Sequence, residues 1–316
     1  MYLIVINPDA DRGQSILRLP MIKALFRAAK IPYEVFITVN PMDGYNHTLR
    51  FCKRSQLLKG IIGMGSDELT QEIVTGMIDA FPEAREGQKM PVPLGILPSR
   101  FDNNFVSALA GSKIRAQAKS NREPEVVVKE FFDLFMRGQV RAVDVITANE
   151  MSFINIGNVG LDAVIARNAE KIKVKYDDYA YLIAGVKAIL KQEPIHLSFE
   201  ITDGNETEKI SGDYLCAVVC NGGFYGTGMR IAPGAKVDDG KITLGLVNIM
   251  SRLRTLVVMS QLTNEHHADI KEITFKQCDK LKLTIPPTGL CLDGNLYHRE
   301  GEITFKVLPQ VLDIFV

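Results

Sequence analysis

The feature that most constrains this chain is a set of short apolar runs in its first hundred residues, each punctuated by a turn. "YLIVIN" ends at Asn7-Pro8, "YEVFIT" follows, then "GIIG" and "PLGIL". Runs of this length and apolarity read as strands. Helical patterns separate them. "MIKALFRAAK" places Met21, Ile22, Leu25, Phe26 and Ala29 on one face, and Glu68 to Asp79 carries a stripe of Leu69, Ile73, Val74 and Met77. "FDNNFVSALAG" and "REPEVVVKEFFDLFMRG" begin further helices. Strand and helix in alternation predict a parallel sheet covered on both faces. Ligands in such a sheet bind beyond the carboxyl ends of its strands. The loops there are Asn7 to Gly13, Gly63 to Glu68 and Pro98 to Asn103.

Near residue 140 the pattern changes to "VRAVDVITAN", "MSFINIGN", "IHLSFEITDG", "YLCAVVCNGG", "KITLGLVNI", "IKEITFKQ", "KLKLTIPP" and "GEITFKVL". These are strand-like and bounded by turn residues. Helical patterns interrupt them at "LDAVIARNAEKIK", "YAYLIAGVKAILKQ" and "SRLRTLVVMSQLTN". A chain of 316 residues is long for one core. The expectation is an α/β domain over 1–139 and a β-rich domain over 140–316.

Lysine plus arginine balances aspartate plus glutamate, 37 against 37, which lacks the basic footprint of a dedicated nucleic-acid binder. The five cysteines have no paired zinc spacing and read as small buried hydrophobes of a reducing compartment. "MYLIVINPDADRG" has no basic n-region, and no apolar run reaches the roughly 18–20 residues of a membrane span. A cytoplasmic protein that meets membranes only from the surface is expected.

Several residues could carry chemistry. The stretch "GIIGMGSDELTQEIVTGM" reads as strand, glycine turn and helix, and a helix N-terminus attracts phosphate. Gly63 and Gly65 would permit close approach, while Asp67 could instead cap the helix itself. Glu72 reads equally as a first-turn helix acid. Asp239-Gly240 and Asp293-Gly294 have the composition of hairpin turns. Lys171, Lys173 and Lys175 form a solvated face or a contact for anionic headgroups. Gly222 to Gly228 reads as a bend near a substrate cleft, and His266-His267 as a surface turn.

Taken in order, "INPDADRGQ", "GSDELTQE", "PSRFDNNF", "AKVDDG" and "LDGN" resemble the motifs of one family, the bacterial diacylglycerol kinase and sphingosine kinase type of lipid kinases. That family reads N-P-x-(S/A)-G after its first strand, G-G-D-G-T-x-N-E at the third, P-x-G-T-x-N-D-F at the fourth, then A-K-L-D-D-G and a late L-D-G-E. The resemblance runs the length of the chain. It implies a three-layer α/β nucleotide-binding domain like that of NAD kinase, followed by a β-sandwich. It implies ATP and Mg²⁺ as cofactors, and a lipid hydroxyl that attacks the γ-phosphate at the inner membrane face. The nucleotide would meet Asn7, Gly65, Ser66, Asp67, Glu68, Glu72, Arg100 and Asn103. Catalytic positions fall on Asp67, Asp293 and Asn295. A structural metal would take the carboxylate of Asp239 and main-chain carbonyls of Lys236 and Lys241.

The sequence departs from the pattern where it matters most. Ser66 stands for the second glycine, Glu68 for the next, and Leu69 for the threonine. Arg100-Phe101 replaces a glycine-threonine pair, with Arg100 offering a phosphate fork. Asn103-Asn104 replaces Asn-Asp, and Asn295 replaces the late glutamate, a candidate general base. Glu68 is therefore expected to repel a triphosphate. Two alternatives follow: a catalytically silent member that binds lipid or nucleotide as a sensor or partner, and a kinase of a soluble hydroxyl compound such as NAD. A homodimer is left open.

Overall fold

The computed structural model describes residues 1–10, 13–55, 57–98, 103–109, 124–160, 191, 193–225, 229–261 and 270–316. The first part runs β1 (Tyr2–Ile6), α1 (Gln14–Ala28), β2 (Tyr33–Ile37), α2 (Asp43–Arg54), β3 (Gly60–Gly65), α3 (Asp67–Ala80), β4 (Leu94–Pro98), α4 (104–109) and α5 (Pro124–Arg137). β2, β1, β3 and β4 lie side by side and parallel, as the alternation requires. Successive side chains of β1 point to opposite faces. Leu3 and Val5 join Phe51 of α2 and Ile73, Val74 and Met77 of α3 in one core. Ile4 and Ile6 join Ile22 and Phe26 of α1 and Phe131, Phe132 and Phe135 of α5 in another. Aromatic rings close the second core: Phe26 lies edge-on to Tyr2, Tyr33 and Phe132 at 5.4–6.1 Å between centroids. Such pairs contribute about 0.5–1.5 kcal/mol each beyond the area they bury.

Gly63 and Gly65 serve this packing. A β-carbon on Gly63 would lie 3.0 Å from Ile73 Cδ1, and one on Gly65 3.0 Å from Leu69 Cδ2. They bring α3 down onto β3, so the space on their side-chain faces is filled by the helix. Two elements differ from expectation. α1 starts at Gln14, ahead of Met21, and continues through Pro20. α2 was not expected at all.

The remaining elements are β5 (Val140–Ala148), β6 (Met151–Phe153), β7 (Ile156–Gly160), β8 (Ile195–Asp203), β9 (Glu206–Cys220), β10 (Phe224–Tyr225), β11 (Met229–Arg230), β12 (Ile242–Asn248), α6 (Arg252–Gln261), β13 (Ile273–Cys278), β14 (Lys280–Leu292) and β15 (Asn295–Phe315). Their pairings with one another are antiparallel. Inward residues such as Phe153, Leu197, Phe199, Val219, Leu244, Leu283 and Phe305 form a separate core. All five cysteines are free and buried.

β15 joins the two halves. Its first part pairs with β14 inside the β-rich region, and its last part runs parallel to β4 at Ile314 and Leu94. Val311, Leu312 and Ile314 accordingly belong to the core of the α/β unit, together with Val143 and Val145 of β5.

Candidate active site

The site forms where α3 meets the β14–β15 turn. Asp293 and Gly294 are the two residues of that turn, and both have positive φ, 45° and 95°. This is the conformation of a tight two-residue hairpin, which favours Asp-Gly. Asp293 is thus a hairpin residue and a candidate site residue at once. Its side chain is 2% exposed. It accepts main-chain N–H groups from Ile154 at 2.8 Å, Asn155 at 3.1 Å and Ile156 at 2.6 Å.

Asp67 begins α3, yet it does not cap its own helix. Its carboxylate reaches α4, accepting the N–H of Asn104 at 2.8 Å and of Phe105 at 3.3 Å, and Asn104 Nδ2 at 2.8 Å. An aspartate at 104 could not donate that last bond. Asn103 caps α4 as well, accepting Val106 N–H on Oδ1 while its Nδ2 donates to Thr70. Ser66, in extended conformation ahead of α3, makes no side-chain cap. A β-carbon on Gly65 would also lie 3.3 Å from the β-carbon of Asn7.

The structure brings Asp67, Glu68, Asn103, Asp293 and Asn295 to one place. Burial raises the Asp67 carboxyl well above its ordinary range, and the charge of Asp293 raises it further. Burial lifts Asp293 to about 7 against its three amide donors, with Glu68 adding repulsion. Glu68 is half-buried. A β-carbon on Gly294 would lie 2.6 Å from Glu68 Oε1, so the carboxylate rests on the hairpin turn. Asn295 turns its amide back to α3, donating to Glu68 main-chain O at 3.0 Å and Gln71 Oε1 at 2.8 Å.

Glu72 does not join them. Its carboxylate accepts Met42 N–H and Gly44 N–H at 2.9 Å each and caps α2. The family resemblance implies a nucleotide ligand; the geometry gives a brace between helices, because the buried Gly44 N–H would otherwise lack an acceptor. Arg100, Lys171, Lys173, Lys175, Gly226 to Gly228, His266 and His267 lie outside the described residues.

The loop of Lys236, Asp239 and Lys241 is held by contacts of its own. Asp239 Oδ1 accepts Lys241 N–H at 3.0 Å. Lys241 Nζ bonds Asp203, and Arg141 clasps Asp238 at 2.7 Å. Buried Asp144 accepts Gly240 N–H and Gln310 N–H. Burial raises Asp239, and the charge of Lys236 opposes the rise. Among the described residues there is no group of three or more His, Cys, Asp or Glu side chains that could hold a metal.

Sequence reasoning missed Gln71 and Asn221. Gln71, 1% exposed, donates to Ser152 O at 2.8 Å and accepts Asn295 Nδ2 and Tyr297 O–H, which ties α3 to β6 and β15. Asn221 Nδ2 donates to Ile154 O and Asp144 O, linking the segment that holds Asp293 to the Asp239 loop. Gln71 stands inside the "GSDELTQE" stretch and Asn221 at the end of "YLCAVVCNGG", but only the fold gives them their partners.

Comparison with known proteins agrees with this architecture. Residues 1–148 match the diacylglycerol kinase catalytic domain, and residues 155–316 match the YegS C-terminal NAD kinase beta sandwich-like domain. The chain is 26% identical over 254 residues to the "Probable lipid kinase YegS-like" of Shewanella frigidimarina, covering 80% of this chain and 74% of that protein. It is 21% identical over 290 residues to a diacylglycerol kinase of Mycobacterium tuberculosis, covering 92% and 86%. In fold it is similar to the crystal structure of a diacylglycerol kinase from Bacillus anthracis, with a TM-score of 0.68, 18% identity, and coverage of 99% of this chain and 96% of that one. No described helix is long and apolar enough to cross a membrane. With an α/β catalytic unit, a β-sandwich and both family models matched in order, the chain belongs to the YegS and diacylglycerol kinase family of lipid kinases.

Proposed function

We propose that this protein is an ATP-dependent lipid kinase that phosphorylates a hydroxyl of diacylglycerol or a related lipid at a membrane surface. The observation that carries the reading is the meeting of Asp67 and Asp293, two buried carboxylates fastened by main-chain amides, at the N-terminus of α3. Phosphoryl transfer asks for positioning and charge management more than covalent chemistry. The N-terminal turn of α3 would receive the phosphates, since its dipole favours anions and Ser66 leaves it without a side-chain cap. Gly65 would contribute main chain only, because Leu69 and Asn7 fill the space beside it. Asn103 and Asn104 would hold the third loop in register with Asp67.

Mg²⁺ would accompany the triphosphate and neutralise developing charge. A structural cation is a separate proposal for the Asp239 loop. One carboxylate with main-chain carbonyls of Lys236 and Lys241 is an oxygen donor set of the kind hard cations take.

The test measures transfer of labelled γ-phosphate from ATP·Mg²⁺ to diacylglycerol in mixed micelles, with thermal unfolding followed under ATP. Labelled lipid is expected, with a loss on the order of 10²-fold or more for Asp67→Asn. A thermal shift by ATP without labelled lipid identifies a silent binder. No shift and no product refutes the reading.

A further inference from the structure

We infer that Gln71 is a positioning residue of the proposed transfer, and that the amide of Asn295 is its matched partner and not the remnant of a base. The inference rests on the lipid kinase reading of this same site.

Gln71 stands one helical turn after Asp67, a neighbouring position on the surface of α3. Asp67 reaches α4, whereas Gln71 reaches the two strands that flank Asp293. Its Nε2 donates to Ser152 O on β6 at 2.8 Å and to Thr75 Oγ1 at 3.2 Å. Its Oε1 accepts Asn295 Nδ2 at 2.8 Å and the Tyr297 O–H at 3.2 Å, both on β15. β6 leads straight into Ile154, Asn155 and Ile156, whose amides hold the Asp293 carboxylate. Asn295 follows the Asp293-Gly294 turn directly. The two buried carboxylates, Asp67 and Asp293, are thus connected through one turn of helix, one hydrogen bond and two residues of hairpin.

Chemistry fixes the direction of each amide. Glu68 main-chain O and Ser152 O can only accept, so Asn295 and Gln71 must turn their nitrogens toward them. Gln71 Oε1 is left as the common acceptor for Asn295 and Tyr297. Burial pushes the Tyr297 phenol up to about 12, so it keeps the proton with which it reaches Gln71. Both N–H groups and both lone pairs of the Gln71 amide are then used, in a residue 1% exposed.

A glutamate at 295 does not fit this network. Ionised, it carries acceptors only, and it would face two further acceptors, Glu68 O and Gln71 Oε1. The two positions depart from the family pattern together and in opposite senses. Gln71 stands for an asparagine and is one methylene longer; Asn295 stands for a glutamate and is one methylene shorter. The changes meet at one contact, and that contact holds the Asp293 turn against α3. Phosphoryl transfer through a loose transition state depends chiefly on positioning and charge stabilisation. A misplacement of about 1 Å costs on the order of 10²-fold.

The experiment compares wild type with Gln71→Ala, Asn295→Ala, the double alanine variant, Asn295→Asp and Asn295→Glu. Each is assayed for phosphate transfer from labelled ATP·Mg²⁺ to dioleoylglycerol in mixed micelles, at a temperature below every melting transition. ATP binding is followed by calorimetry. Gln71→Ala, Asn295→Ala and Asn295→Asp should each lower kcat by about 10–10²-fold, with ATP affinity within about threefold of wild type. The double alanine variant should lose no more than about threefold beyond the worse single, because both act through one contact. Asn295→Glu should be slower than wild type. Asn295→Asp has the shape of the native residue and decides the matter alone if the alanine variants do not fold. Retention of more than about a third of kcat by Asn295→Asp overturns the assignment, makes the pair a brace for stability only, and leaves the kinase reading standing. Additive losses in the double variant also overturn it. Faster transfer by Asn295→Glu than by wild type overturns it as well, and makes Asn295 a lost base. If every protein is silent toward dioleoylglycerol, the lipid kinase reading falls, and this inference with it.

Discussion

Replacing Glu72 by alanine would remove the acceptor on which α2 begins. The N–H groups of Met42 and Gly44, each now 2.9 Å from a carboxylate oxygen, would lose it, and Tyr45 N–H would lose a weaker contact. They are not equally placed. Met42 is 37% exposed and its amide can turn to water, so its loss resembles that of an ordinary helix cap, about 1 kcal/mol. Gly44 is buried, and a buried donor without a partner costs about 1–3 kcal/mol. Burial already opposes ionisation of Glu72, so its removal returns part of that penalty. The expected net cost is about 2–3 kcal/mol, with about half of it for Glu72→Gln, which offers one acceptor oxygen to two amides. Thermal unfolding should show a fall of roughly 5 °C for Glu72→Ala. Hydrogen exchange should localise it to the first turn of α2, while ATP affinity stays near that of wild type. A melting temperature within about 1 °C of wild type, with ATP affinity down about tenfold, would refute the brace and return Glu72 to the nucleotide.

Other outcomes follow from the same physics. His47 is stacked on Phe36 at 3.8 Å, and burial lowers its pKa from 6.5 against the pull of Glu34. The unfolded chain therefore takes up that proton first, so stability should fall as pH drops through about 6.5. His47→Phe should flatten this slope in melting temperatures taken at several pH values. Asp293 has the opposite sign. Raised from 3.8 to about 7, it binds a proton in the folded state first, so its contribution is fullest below 3.8 and is lost as pH rises toward 7. Asp293→Asn should remove that share of the pH dependence in the same scans, in addition to a constant loss from weakened amide bonds. For the loop near Lys241, Asp239→Asn should abolish any rise in melting temperature with Mg²⁺. An unchanged response would leave the loop as a turn.

What could be read from the sequence was local. β1, β3 and β4 announce themselves because a strand covered on both faces has no polar register to disguise it. The Asp-Gly pair of the β14–β15 turn was legible both as a hairpin and as a motif, and it is both. α2 was missed because "DGYNHTLRFCKR" is poor in strong helix formers and its cap comes from Glu72, beyond its own sequence neighbourhood. β9 begins in "ETEK", an exposed ribbon with no apolar face to betray it. At the site, the motif residues were visible one by one, but their meeting was not. Asn295 and Glu68 are far apart in the chain, and no spacing rule places one on the other. The sequence offers Asp67 as a cap of its own helix, whereas it caps the next one, since its side chain leaves α3 toward α4.

β15 has a consequence for the order in which the molecule can be completed. The edge of the α/β sheet at β4 is closed by Ile314 and its neighbours, about 220 residues later in the chain. At a synthesis rate of ~5–20 residues per second, that edge waits about 10–40 s for its partner. During that interval the apolar residues that Val311, Leu312 and Ile314 will cover, among them Leu94 and Ile96, lack their native neighbours. The nascent α/β unit therefore spends its early life with an unsealed strand, the kind of edge that invites pairing with other chains. The same strand that carries the site turn at one end ends this exposure at the other, so an emerging molecule acquires its candidate active site and its protection from aggregation in a single late event.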